Sequence, residues 1–317
     1  MTRFILRRLV QAALVLAIMS FIIYALIGLM PGDPIDLMIA SDPHLSAADA
    51  VRLKALYGLD RPLFERYLAW AQAALAGDFG YSRLYAKAAL TVLAPRLGNT
   101  AILMGASFAL TLAIALPLGI AAARRPGSAF DAMVNLLGFA GISVPSFWLA
   151  LMLILVFAVA LGLLPAGGIA TIGDGGILDR LTHLALPVAT LTLASVGGHM
   201  RYMRGAMIET LQQDYIRTAR AKGAGELGVL LHHALRNALI PVITVVALSF
   251  GSLFSGALVT ETMFAYPGMG KLIYDSVLGN DFNLALAGLL LATLTTLLAN
   301  LAADIAYAAA DPRITYG

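Results

Sequence analysis

The segment from Asp214 to Pro241, DYIRTARAKGAGELGVLLHHALRNALIP, concentrates charge and helix-forming residues within a chain that is otherwise apolar. Its chemistry is that of a protein-contact surface, with small residues for close backbone approach and arginines for the rim. Three other clusters invite an enzymatic reading. Ser195 and His199 stand at i, i+4, the spacing that would let an imidazole activate a hydroxyl, but no Gly-x-Ser-x-Gly turn presents a nucleophile. His232 and His233 are adjacent and point apart on a helix, unlike the two imidazoles of His-Glu-x-x-His. Gly268-Met269-Gly270-Lys271-Leu272 imitates a phosphate-binding loop but has Leu272 where a hydroxyl residue must meet the metal. The chain therefore reads as one that supplies no nucleotide chemistry of its own. Without cysteine it has no disulfide, thiolate metal site or cysteine nucleophile.

The elements that must position these residues are membrane helices. Hydrophobic residues make up 60% of the 317 and charged residues 12%, and the mean hydropathy is +0.85, outside the range of a soluble domain. Apolar runs cover Leu9 to Leu29, Thr100 to Ala123, Met133 to Leu161, His183 to Met203, Ala238 to Val259 and Leu284 to Ala309. Each is long enough for a hydrocarbon core of about 30 Å at about 1.5 Å per residue. The first ends in Met30-Pro31-Gly32-Asp33-Pro34 rather than a small-residue cleavage site, so it is read as a retained helix and not a signal peptide. Six helices result, with both termini on one side.

Orientation follows from the short loops. Arg3, Arg7, Arg8, Arg124, Arg125, Arg201, Arg204, Arg217, Arg220, Lys222 and Arg236 fall on one face, against Arg180 and Lys271 on the other, which predicts cytoplasmic termini and a cytoplasmic basic segment. The net charge of +3 thus belongs to membrane topology, and no nucleic-acid partner is expected. Residues 31–97 carry balanced charge and read as an external helical insertion. One helix start is expected at Ser46-Ala47-Ala48-Asp49, and an amphipathic helix from Arg61-Pro62 through Trp70 to Leu75. The chain divides into a first helix (1–30), this insertion (31–97) and a five-helix core (98–317) that holds the basic loop 204–237. Pro117, Pro145, Pro187 and Pro241 free backbone carbonyls within the spans and hint at a polar pathway. Acids in the spans are few: Asp131, Glu261 and Asp304 lie near helix ends and read as solvated or capping groups rather than an ion relay.

Several dispersed blocks then carry a family resemblance. They are Pro31-Gly32-Asp33-Pro34, Tyr57-Gly58-Leu59-Asp60-Arg61-Pro62-Leu63, Gly77-Asp78-Phe79-Gly80-Tyr81-Ser82, Ser143-Val144-Pro145-Ser146-Phe147-Trp148, the run Asp214 to Gly223, the run His233 to Pro241, the run Glu261 to Gly270, and Asp311-Pro312-Arg313. In this order and over nearly its whole length the chain resembles the integral-membrane permease subunit, first-permease branch, of bacterial dipeptide/oligopeptide ATP-binding-cassette importers.

The resemblance implies an all-α membrane protein of the type I importer permease kind, with six transmembrane helices in the bacterial inner membrane. It implies a second, related permease, two ATPase subunits that bind ATP and magnesium, an extracytoplasmic substrate-binding protein, and no cofactor in this chain. Relatives in this branch also import nickel chelates, glutathione or opine-like compounds, which are the alternative cargoes; an autonomous carrier or channel is the remaining alternative. The family's Glu-Ala-Ala-x-x-x-Gly coupling pattern, aligned on Gly223, falls on Arg217-Thr218-Ala219, with the Glu and the first Ala replaced. The implied ATPase-coupling residues are Arg217, Thr218, Ala219, Arg220, Lys222, Gly223 and Glu226. Residues expected along the translocation path are Ser143, Ser146, Phe147, Trp148, Ser249, Ser252 and Ser255.

Overall fold

A computed structural model describes the backbone of residues 2–29, 52 and 61–310. Side chains are described except at 2–4, at 306–310 and at several positions between 244 and 256. The helix start expected at Ser46 to Asp49, the blocks at 31–34 and 57–60 and the one at 311–313 lie outside these residues. The elements are α1 (Thr2–Gly28), α2 (Leu63–Leu75), β1 (Tyr81–Ser82), β2 (Lys87–Ala88), α3 (Ala89–Ala123), α4 (Ala129–Ser143), α5 (Ser146–Leu153), α6 (Ile177–Leu211), α7 (Asp214–Ala221), α8 (Leu235–Met263), α9 (Met269–Leu278) and α10 (Phe282–Ala310). Among the described residues, α1, α3, α6 and α10 are long and apolar enough to cross a membrane. The bent pair α4–α5 makes a fifth crossing if it counts as one span. The 29 residues of α8 are also long enough to span.

The chain divides into two compact units. The first comprises Met1–Ile5, Thr100–Pro267 and Thr296–Gly317. Its helices approach closely where glycines remove side chains. A Cβ on Gly197 of α6 would overlap the backbone of Gly138 in α4, and one on Gly141 would lie 2.9 Å from the carbonyl of Leu193. At Gly119 of α3 it would lie 2.7 Å from the carbonyl of Met200. In lipid, where apolar surface gives no preference for helix over solvent, such small-residue contacts let dispersion and backbone packing hold helices together.

The third apolar run, Met133 to Leu161, contains Pro145, one of the prolines expected to disturb its helix. The run is broken at Val144-Pro145, where α4 and α5 meet at 101°. Pro145 has no N–H to continue the ladder and disfavours helical geometry at Val144, which adopts an extended conformation (φ −89°, ψ 123°). After α5 the helix widens into a π segment, Ile154–Ala160. Pro187 and Pro241 lie inside α6 and α8 without ending them. The fourth span is longer than its apolar run, since α6 extends eight residues past Met203 to Leu211.

The second unit comprises Leu6–Asn99 and Gly268–Thr295. Here α2 occupies the amphipathic stretch that follows Arg61-Pro62, and it docks on α1 through aromatic edges. The Tyr67 ring stands 5.1 Å from Phe21 and 5.7 Å from Tyr24, and its hydroxyl shares a 2.8 Å hydrogen bond with Ser20. Edge-to-face pairs of this kind add about 0.5–1.5 kcal/mol each beyond area burial. The antiparallel hairpin β1–β2, registered Tyr81↔Ala88, was not anticipated from sequence. It is pinned by Asp281, which accepts from the Ser82 hydroxyl at 2.5 Å and from the Leu84 N–H at 3.0 Å. Lys271 of the imitation phosphate loop is paired with Asp275 at 2.6 Å.

Candidate functional site

The basic segment folds into a compact device at one end of the first unit. Residues 214–221 form α7, whose Ile216 and Ala219 are three apart and so share one face. That face is buried among Met203 and Met207 of α6 and Val229, Leu230 and Ala234 before α8. Fully burying one aliphatic side chain such as Ile216 contributes about 1.5–3 kcal/mol. The opposite face exposes Arg217, Thr218, Arg220 and Ala221. Ala219 is 8% exposed and packs within the chain.

The end of α7 is built by Gly223. Its N–H bonds the Arg220 carbonyl at 2.9 Å and the Ala224 N–H bonds the Ala219 carbonyl at 3.2 Å, the paired pattern of a Schellman cap. The cap requires a left-handed residue, and Gly223 supplies φ +85°. Arg220 then reaches across this turn to Glu226, Nε to Oε1 at 2.9 Å and Nη2 to Oε2 at 3.2 Å. The Arg220 hydrogen bond, with the nearby charges of Arg220 and Arg124, holds the Glu226 carboxyl below its ordinary 4.5. Lys222 and Gly223 are exposed, and a Cβ at Gly223 would meet no other atom within 4 Å beyond its chain neighbours. From Val229 to Ala234 the backbone forms a second π segment, with His232 and His233 both exposed.

A part-buried ion pair holds the neighbouring loop. Asp131 is 3% exposed and binds Arg204 of α6 at two points, Nη2 to Oδ2 at 2.7 Å and Nε to Oδ1. The same carboxylate accepts from the Gly127 N–H at 2.9 Å, while the Asp131 N–H donates to the Ser128 hydroxyl at 3.2 Å. Ser128 thus caps α4 through its hydroxyl, while the Asp131 carboxylate reaches one residue further back than in a capping box, to Gly127. Sequence reasoning read Asp131 as a solvated or capping acid; it is buried, and its partner was missed because the two residues lie 73 positions apart. The i, i+4 pair Ser195/His199 forms no dyad, since His199 Nδ1 lies 2.9 Å from the Ser195 main-chain carbonyl.

The residues expected along a path divide. Ser143 and Ser146 flank the α4–α5 break, and the Ser143 hydroxyl returns to the Phe139 carbonyl at 2.8 Å. Phe147 and Trp148 follow on α5, 54% and 46% exposed. Ser249 donates to the Val245 carbonyl of its own helix at 2.7 Å. The Ser252 and Ser255 side chains lie outside the described residues. An open cleft between α4, α6 and α8, about 790 Å³, is lined by Asn135, Phe139, Arg201, Tyr202, Glu209 and Pro241, among others.

Comparison with known proteins gives a family, two relatives and a fold neighbour. Residues 115–316 match the family described as binding-protein-dependent transport system inner membrane component, and residues 1–109 match its N-terminal counterpart. The oligopeptide transport system permease protein AppB of Bacillus subtilis (strain 168) is 40% identical over 318 residues, covering 100% of both chains. A putative peptide permease protein of Brucella suis biovar 1 (strain 1330) is 40% identical over 316 residues and 99% of each chain. Among solved structures, the inward-facing MetNI methionine ABC transporter aligns with a TM-score of 0.55 at 20% identity, covering 69% of this chain and 96% of that one, which speaks to fold.

Proposed function

The chain belongs to the binding-protein-dependent transport system inner membrane component family, and from that premise we propose that it is the permease subunit of an ATP-driven importer of di- or oligopeptides. The observation that carries the reading is end-to-end similarity at 40% identity to proteins named as peptide permeases, together with a fold of apolar helices like that of an importer permease. An extracytoplasmic binding protein delivers the peptide. A second, related permease completes the pathway, and two separate ATPases bind ATP and magnesium. The charge asymmetry of the short loops supports cytoplasmic termini and a cytoplasmic α7.

In this reading α7 is the coupling element. Its exposed face of Arg217, Thr218, Arg220 and Ala221, with Lys222, Gly223 and Glu226 in the turn beyond, docks on an ATPase. Its buried face carries any displacement into α6 and α8, because Ile216 and Ala219 are packed into the bases of both. ATP binds the closed ATPase pair more tightly than the open pair, and that difference in affinity is what biases the permease between its two orientations. The clamp at Arg220–Glu226 keeps α7 and the turn after it moving as one piece. No step of hydrolysis falls to this chain.

The test is purification of a tagged copy from its native membrane, with ATP hydrolysis assayed with and without peptide and binding protein. Co-purification of a second permease and ATPases, with turnover raised by peptide-loaded binding protein, is the expected result. Peptide transport by the isolated chain in vesicles, driven by an ion gradient and indifferent to ATP, would overturn it.

A further inference from the structure

The cleft between α4, α6 and α8 carries an inference that rests on the peptide-import reading and deepens it. Two charged residues of opposite sign line it from the same helix, Arg201 and Glu209. Both are exposed, and neither has an ion-pair partner among the described residues, whereas the third charge of the lining, Arg204, is bound to Asp131. Arg201 is nevertheless held in place. Its guanidinium lies 4.1 Å from the centroid of the Phe139 ring, and its stem passes over Gly138, where a Cβ would come within 3.4 Å of Cγ and Cδ. Stacking occupies one face of the guanidinium and leaves its in-plane N–H donors directed at other partners, the arrangement that suits a carboxylate.

We infer that this cleft is a receptor for the two ends of a short extended peptide, Arg201 taking the α-carboxylate and Glu209 the α-ammonium. Eight residues of α6 separate them, or about 12 Å along the helix axis at ~1.5 Å per residue. An extended chain advances about 3.3–3.6 Å per residue, so the two charges match a peptide of about three to four residues. In the same lining the Asn135 side-chain nitrogen donates to the Asp131 main-chain carbonyl at 2.9 Å and to its carboxylate at 3.1 Å, which leaves its carbonyl oxygen to accept a peptide N–H. Ile142 and Val245 provide apolar wall for side chains of any kind. Two charges at fixed spacing with apolar wall in the same cleft would make it selective for length and free termini and tolerant of sequence.

Tetraalanine isolates this question because its side chains carry no charge. It is titrated calorimetrically into the complete transporter in lipid nanodiscs, free of nucleotide and of binding protein. Binding is expected to weaken about tenfold when the peptide is C-amidated and about tenfold in Arg201→Gln, with no further loss when the two are combined. That non-additivity marks a direct pair. N-acetylation and Glu209→Gln should behave in the same way, Arg201→Lys should keep the sensitivity to amidation, and dialanine should bind at least tenfold more weakly. Failure of tetraalanine to bind, or an undiminished amidation penalty in Arg201→Gln, would overturn the inference. ATP-driven uptake of tetraalanine, measured on the same preparation with binding protein restored, separates the two levels. Intact uptake with no dependence on the termini at this cleft removes only the receptor, whereas absent uptake removes the peptide reading itself.

Discussion

Arg220 and Glu226 are joined at two points across the turn that Gly223 caps, with both side chains at the surface. The pair links the last turn of α7 to the first residues leading into α8. An exposed pair contributes little to global stability. Its effect is local, in fixing the orientation of one helix end against the next. Arg220→Ala or Glu226→Gln is therefore expected to leave the melting temperature of the complex unchanged and to lower the number of peptides imported per ATP hydrolysed. A matching fall in melting temperature and assembly would contradict this.

The same pair has a pH dependence of defined sign. The folded-state value of Glu226 lies below its ordinary 4.5, so the stabilisation is present above pH 4.5 and is lost as pH falls through the lowered value. Amide hydrogen exchange in residues 222–228 should be constant, after correction for intrinsic rates, from pH 7 to about 5, and protection should fall only below that. Loss of protection between pH 7 and 6 would contradict the assignment.

Gly223 separates two effects that a single substitution would merge. Any side chain there is strained at φ +85°, at a cost of about 1–2 kcal/mol. The space around it is open within this chain. Gly223→Ala and Gly223→Trp share the strain, and only the second adds bulk toward a docked partner. Both are expected to reach the membrane, with uptake much lower for Trp than for Ala. Equal uptake by the two would remove Gly223 from the docking surface.

The part-buried pair Asp131–Arg204 is a prediction about stability. Asp131→Asn leaves the partly exposed Arg204 without its charge partner and is expected to cost about 1–3 kcal/mol. Replacing both, as Asp131→Leu with Arg204→Met, should recover part of that loss. Thermal unfolding in one detergent measures both, and a double variant less stable than Asp131→Asn would contradict it.

What was legible in the sequence follows from which forces act locally. Apolar runs located the spans because hydrocarbon imposes its length on each one separately. The small and basic residues around Gly223 located the surface device for the same reason. The break at Pro145 was half legible: proline announces a disrupted ladder, but the 101° bend depends on how α5 then packs. The Asp131–Arg204 pair, the Gly138–Gly197 contact and the carboxylate of Asp281 under the β-hairpin were not legible. Each joins residues distant in sequence whose types alone are ordinary. The inward turn of Ala219 could have been read from its spacing to Ile216, three residues away on an amphipathic helix.

The most direct test of the central claim uses the absence of cysteine from this chain. Single cysteines are placed at Arg217 and Ala221 on the exposed face of α7 and, as a control, at Tyr81 in the hairpin, each is assembled with its partners, and a short thiol-to-amine cross-linker is applied. The account predicts an adduct carrying one ATPase subunit from Arg217→Cys and Ala221→Cys, changed in yield by ATP, and none from Tyr81→Cys. No ATPase adduct at either α7 position, in a complex that imports peptide and whose cysteines react with a small maleimide, would contradict it.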